Sequence, residues 1–257
     1  MTQLIRLGCI DLSFHAVSAA LIQVIFERYG FQVEIDKAPH EETFQRFDAA
    51  RVDILVSAWL PASHGAYLAA LKRPNSKVTV LYEPYCIWGV PDYIPEHALK
   101  SITDLTKPEI LKATSRCIQG INAGAGISRF SKAIIQQYGL DSEGYFFAEG
   151  AGTTCFDRYQ RSYAAKEWFV VPLWHPQFLH HRYAIRALED PLGLLGGRDE
   201  ATLIVANDLL EKLPGPLIED LRQLRPGNAV ISQLDHGCRY EDLSPHAAAE
   251  RWMQRHQ

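Results

Sequence analysis

The feature that most constrains this chain is the alternation of two hydrophobic periodicities over its first hundred residues. "LIRLGCI" (4–10) reads as a strand and "HAVSAALIQVIFERYG" (15–30) as a helix, with Val17, Ala20, Leu21, Val24 and Ile25 on one face and Gly30 as its stop. "FQVEI" alternates apolar and polar residues, "EETFQRFDAA" gives a short helix, "VDILVSAW" a strand apolar on both faces, and "SKVTVLYEP" the next strand. Strand and helix in turn imply a parallel sheet with helices on both faces. A chain of 257 residues, 47% of them hydrophobic, can bury one large core or two smaller ones.

After Pro84 the texture changes. "PYCIWGVPDYIPEH" is rich in proline and aromatic residues and reads as a connection rather than a core element. A second α/β unit follows, with "CIQGI", "GYFFAEG" and "WFVVPLW" as strands and "GAGISRFSKAIIQQYG" and "TTCFDRYQRSYAAKE" as helices. The remainder looks like a return to the first unit, closed by a helix over "SPHAAAERWMQRHQ" with Ser244 as N-cap and Pro245 at its first position. The expected organisation is one lobe from 1–84 and 182–257 and a second from 85–181. Crossings near 82–91 and 174–183 form a hinge, and a ligand cleft lies between the lobes at the carboxyl ends of the strands.

Charge and composition narrow the function classes. The net charge is −4 and the charged residues are dispersed, so neither nucleic acid nor a basic partner is indicated. Apolar runs are far shorter than the ~18–20 residues of a membrane span. The five cysteines (Cys9, Cys86, Cys117, Cys155, Cys238) are scattered, without C-x-x-C spacing, and are expected as buried free thiols rather than metal ligands. No G-x-S-x-G or H-E-x-x-H occurs, and Cys155 has no nominated base, so no enzyme and no cofactor is expected. His175, His180 and His181 are expected as solvated hinge residues, with a metal site as the alternative.

Several aromatic residues fall just beyond strand ends: Phe14, Trp59 and Trp174, with Tyr85 and Trp88 in the crossover. A box of such rings presents negative quadrupole faces and suits a weakly hydrated cation such as a quaternary ammonium. The alternative for each ring is core packing, which is the reading for Trp168 and Trp252. Around these rings, His64 is expected to hydrogen-bond the loop that carries Trp59. Asp11 is either a counter-charge or a helix cap. The turn "GINAGAGIS", with Gly120, Gly124 and Gly126, precedes a helix whose free N–H groups favour a small carboxylate; the alternative is a tight turn with no ligand.

These segments resemble the substrate-binding component of glycine betaine, choline and carnitine ABC transporters. "DILVSAWLPASHGAYL", "WGVPDYI", "SITDL", "GINAGAGI", "LWHPQFLHHRYAIRALEDPLGLLGG" and "AAERWMQRH" are similar to that family's motifs and come in its order along nearly the whole chain. The resemblance implies a two-lobed, type II periplasmic-binding-protein fold that closes on one small ligand and hands it to an ABC permease. Carried over by position, Trp59 and Trp174 fit cage tryptophans and Tyr85 or Trp88 the crossover aromatic, while Phe14 stands where many members have tryptophan. Asn122, Gly124, Ala125 and Gly126 fall in the ligand loop, and Gln177 replaces the usual histidine after Trp-x-Pro. The last two departures imply a related but different ligand. The expected compartment is periplasmic or otherwise extracytoplasmic if a leader was removed. If Met1 is the native start, a cytoplasmic sensor with the same fold is the alternative.

Overall fold

The computed structural model describes residues 3–256; Met1, Thr2 and Gln257, the outermost residues assigned above to the first lobe, lie outside them. The chain divides into two units, the first comprising 1–84, 176–178 and 199–257 and the second 85–175 and 179–198. The first pass through unit 1 runs β1 (Leu4–Ile10), α1 (Ser13–Arg28), β2 (Gln32–Ala38), α2 (His40–Asp48), β3 (Ile54–Leu60), α3 (Gly65–Ala69) and β4 (Asn75–Tyr82). Unit 2 follows with β5 (Tyr85–Pro91), α4 (Pro108–Ala113), β6 (Cys117–Gln119), α5 (Gly126–Gln137) and β7 (Phe146–Ala148). It continues with α6 (Gly152–Ala164), β8 (Val171–His175), α7 (Leu179–Arg182) and β9 (Ile185–Ala187). The chain then re-enters unit 1 as β10 (Glu200–Ala206), α8 (Asn207–Leu210), α9 (Gly215–Gln223), α10 (Gly227–Tyr240) and α11 (Pro245–Arg255).

Unit 1 is built on a five-stranded sheet in the order β2-β1-β3-β10-β4. β3 sits in its middle with all seven residues buried, as an apolar run covered on both faces requires. β2, at the edge, keeps the wetter alternation its sequence shows. One layer over the sheet is α2, whose Phe44 and Phe47 pack on Val52, Leu55, Ala58 and Ile204; each such side chain contributes roughly 1.5–3 kcal/mol on burial. α1, buried along most of its length, packs against α10 and α11. Ser244 caps α11 by accepting from Ala247 N at 3.1 Å.

Three expectations are corrected. The sheet of unit 1 is mixed: β10 runs antiparallel to both β3 and β4 because it enters the sheet from unit 2 rather than through a right-handed crossover. "PYCIWGVP" is not a connection but the central strand of an antiparallel sheet, β8-β5-β9, since Pro84 precedes the ladder and Pro91 is its last paired residue. Among the strands of unit 2, β6 and β7 pair in parallel, while β5 is antiparallel to β8 and β9. Residues 182–198 belong with unit 2 rather than the first lobe, because β9 pairs with β5; the short segment 176–178 belongs with unit 1. α10 has no counterpart among the expected elements.

Gly120 has a steric purpose. A Cβ there would lie 2.2 Å from Phe147 Cζ, so the ring packs directly on the glycine backbone.

Candidate functional site

In unit 1, Trp59 stands at the end of β3 and is 6% exposed. Its surroundings come from four elements. Phe14, in the first turn of α1, lies 5.4 Å from it between ring centroids, and His15 lies 5.8 Å away. The indole Nε1 donates to the Tyr82 hydroxyl at the end of β4 (3.2 Å), and the Trp59 backbone N–H donates to His64 Nδ1 (2.9 Å). His64 therefore does hold the loop that carries Trp59, and its own proton sits on Nε2. Asp199 completes the support, its two carboxylate oxygens accepting from Ala62 N (2.7 Å) and Ser63 N (3.0 Å). Asp11 is exposed at the end of β1, and no side chain caps α1 at its N-cap Leu12.

Gln177 is fully buried in unit 1, and among the described residues neither its Nε2 nor its Oε1 has a hydrogen-bond partner. A buried amide left with both functions open is costly unless something polar reaches it. Asp235 pins this segment by accepting from Phe178 N (3.0 Å), with Ser13 at the start of α1 close by. Burial pushes the Asp235 carboxyl up to about 6. Asp235, Phe178, His15, Ser57 and Tyr82 carried no sequence signal, since each lies in an ordinary apolar or helical run.

In unit 2, Trp174 is buried in β8, opposite Cys86, and packs against Phe156 at 5.9 Å. Its carbonyl accepts from His180 Nε2 (3.1 Å). The His180 ring stacks on His175 at 3.5 Å, and His175 stacks in turn on Tyr85 at 4.7 Å. Neither stacked histidine is the solvated residue expected. Burial lowers His175 to about 4, with Arg198 adding to the shift, and lowers His180 to about 3, with His175 adding, so both rings are neutral near pH 7. No group of three or more His, Cys, Asp or Glu able to hold a metal occurs among the described residues.

Tyr85 and Trp88, three residues apart on β5, point to opposite faces of the sheet. Tyr85 is half-buried, with the Arg198 guanidinium 4.9 Å from its ring centroid. Trp88 is fully enclosed and donates to Ser131 Oγ (2.9 Å), the arrangement of a core residue. In the glycine turn, the Asn122 carbonyl accepts from Ala125 N and that of Gly124 from Arg129 Nη1 (2.6 Å). Ala125 is the N-cap of α5, which starts at Gly126, and no side chain caps it. Gly120 is explained by Phe147 rather than by a ligand.

A separate cavity of 310 Å³ opens between α10 and α11, with Leu234, Gly237, Leu243 and Trp252 on its walls; none of the residues expected to bind ligand lines it. No described helix is long and apolar enough to cross a membrane.

Three comparisons bear on this arrangement. The glycine betaine/carnitine transport binding protein GbuC of Listeria monocytogenes is 23% identical over 156 residues, 57% of this chain; the match spans about half (48%) of that relative's length. The crystal structure of the glycine betaine/L-proline-binding protein ProX from Borrelia burgdorferi superposes with a TM-score of 0.86 at 23% identity, covering 98% of this chain and 93% of that one. Lactococcal OpuAC in its closed-liganded conformation with glycine betaine gives 0.85 at 19% identity, covering 99% and 96%. The fold is thus that of the type II periplasmic binding proteins. Residues 3–255 match the OpuAC family, the substrate binding domain of ABC-type glycine betaine transport systems, and the chain belongs to that family.

Proposed function

We propose that this chain is the non-catalytic solute-binding component of an ABC importer, working outside the cytoplasm and delivering a small quaternary-ammonium or betaine-type solute to a permease. The observation that carries the reading is the family match over residues 3–255. The geometry adds the chemistry. Trp59, backed by Phe14, offers an aromatic surface for a trimethylammonium head, and Trp174 and Tyr85 offer aromatic groups from unit 2. A desolvated cation on such rings gains roughly 0.5–2 kcal/mol per ring without needing a hydrogen bond. The uncapped start of α5 at Ala125 and Gly126 suits a carboxylate, as does the open amide of Gln177.

A thermal-shift screen with glycine betaine, choline and carnitine tests the reading. A ligand present at a hundredfold excess over its Kd adds about 2.7 kcal/mol of stability. A rise in Tm with at least one of the three is expected. No rise with any of them up to millimolar concentration would contradict the assignment.

A further inference from the structure

Among the described residues, four other than glycine adopt a left-handed backbone: Ala50, Ser57, Lys166 and Asp242. Three are exposed and follow the ends of α2, α6 and α10, where such a conformation is common. Ser57 is different. It is fully buried, in the interior of the central strand β3, with φ 53°. There Val56 and Ser57 together oppose the single residue Leu203 of β10, which defines a β-bulge. A bulge resets the strand's alternation and re-aims the side chains beyond it, here Trp59 two residues on. Glycine would adopt this backbone without strain, so a serine there needs a reason in its hydroxyl.

The hydroxyl is engaged by His15. Ser57 Oγ lies 2.5 Å from His15 Nδ1, and the Tyr82 hydroxyl lies close enough to Ser57 and Ser18 for both to favour its ionised form. Tyr82 in turn accepts from Trp59 Nε1 at 3.2 Å. An indole N–H can only donate, so the Tyr82 oxygen accepts at that end. Ser18 spends its proton on the Phe14 carbonyl at 2.9 Å. Side chains from α1, β3 and β4 are thereby gathered into one buried polar cluster that ends on the indole. Burial first, and His40 second, hold His15 well below the usual histidine range, so the cluster's far end is a neutral ring.

We infer that Ser57, anchored by His15 and acting through Tyr82, is a positioning residue that fixes the plane of the Trp59 indole and so sets the affinity of unit 1 for a cationic ligand. The inference rests on the function proposed above. It explains why a strained serine occupies a position that glycine would fill without strain.

The test measures binding of glycine betaine and choline by calorimetry, together with Tm, for Ser57→Gly, Ser57→Ala, Tyr82→Phe and Trp59→Ala. Ser57→Gly relieves the left-handed strain while losing the hydroxyl, and Ser57→Ala loses the hydroxyl and keeps the strain. The two serine variants are expected to differ in Tm, with the glycine variant nearer wild type, yet to lose the same three- to tenfold in affinity as part of the cation–π contact is lost. Tyr82→Phe should lose a similar factor. In a Trp59→Ala background, Ser57→Gly should produce no further loss, since residues acting through one group are not additive. If Trp59→Ala weakens binding while Ser57→Gly binds as wild type, or if the Ser57→Gly loss persists undiminished without Trp59, the inference is overturned. Wild-type affinity in Trp59→Ala itself overturns the placement of the site, and the inference with it.

Discussion

Trp59 in unit 1 and Trp174 in unit 2 occupy like positions, each at the carboxyl end of a strand and two residues before a proline, yet their rings are held by different means. Trp59 is tied through hydrogen bonds: Nε1 to Tyr82, backbone N–H to His64, and a buried serine at a bulge just upstream. Trp174 is set by packing, in an antiparallel ladder against Cys86 and Phe156, with the stacked rings of His180, His175 and Tyr85 alongside. A hydrogen-bonded ring is fixed in direction by chemistry and suffers from a lost hydroxyl. A packed ring is fixed by volume and suffers from a lost ring.

The largest effects come from deleting either indole. Both are nearly buried, so Trp59→Ala and Trp174→Ala should each cost about 3–5 kcal/mol of fold stability, more than a strand-end position beside a loop suggests, and weaken quaternary-ammonium binding by roughly 1–3 kcal/mol. Chemical denaturation and calorimetry check the two numbers separately.

Protons separate the units next. The folded-state values of His175 (about 4) and His180 (about 3) lie below the ~6.5 of an unfolded histidine, so the unfolded chain takes up these protons first. Their contribution is present above pH 6.5 and is lost as pH falls toward 4 and below. Asp235 in unit 1 has the opposite sign. With its folded value raised to about 6, it holds a proton that the unfolded chain has already released, so its contribution is lost as pH rises from about 4 to 6. Asp235→Asn should therefore raise stability at pH 7 by about 2–3 kcal/mol and change little at pH 4. A His175→Gln, His180→Gln double variant should flatten the loss of Tm below pH 6.5. Denaturation curves at pH 7, 5.5 and 4 decide both.

The smallest difference is the most diagnostic. Tyr82→Phe strands the buried Trp59 N–H and should cost about 1–3 kcal/mol of stability. Tyr85→Phe keeps its stack on His175 and should stay within about 0.5 kcal/mol of wild type. Equal costs from the two variants would erase the distinction between the units.

Much of this was legible in the sequence, for reasons that can be named. Trp59 stood out because a large ring followed by Pro61 marks the end of a strand, and Ser244 because a serine before Pro245 is a helix start. β5 was missed because its prolines sit at the ladder's ends, where they cost nothing, while local composition weighs them as breakers. The direction of β10 depends on where the chain re-enters unit 1, which no local pattern records. The bulge at Ser57 was invisible because serine is not the residue that announces a left-handed backbone; only its partners, His15 and Tyr82, make it affordable, and they lie 42 and 25 residues away in the chain.

In the proposed function the indole of Trp59 lies against the ammonium head of the ligand. Proton NMR of glycine betaine titrated with the protein tests it directly, because methyl groups over an aromatic face experience its ring current. An upfield shift of the N-methyl resonance is expected in fast exchange or on the bound species, clearly reduced in Trp59→Ala. An N-methyl resonance that binds without shifting, or shifts equally in both proteins, would contradict it.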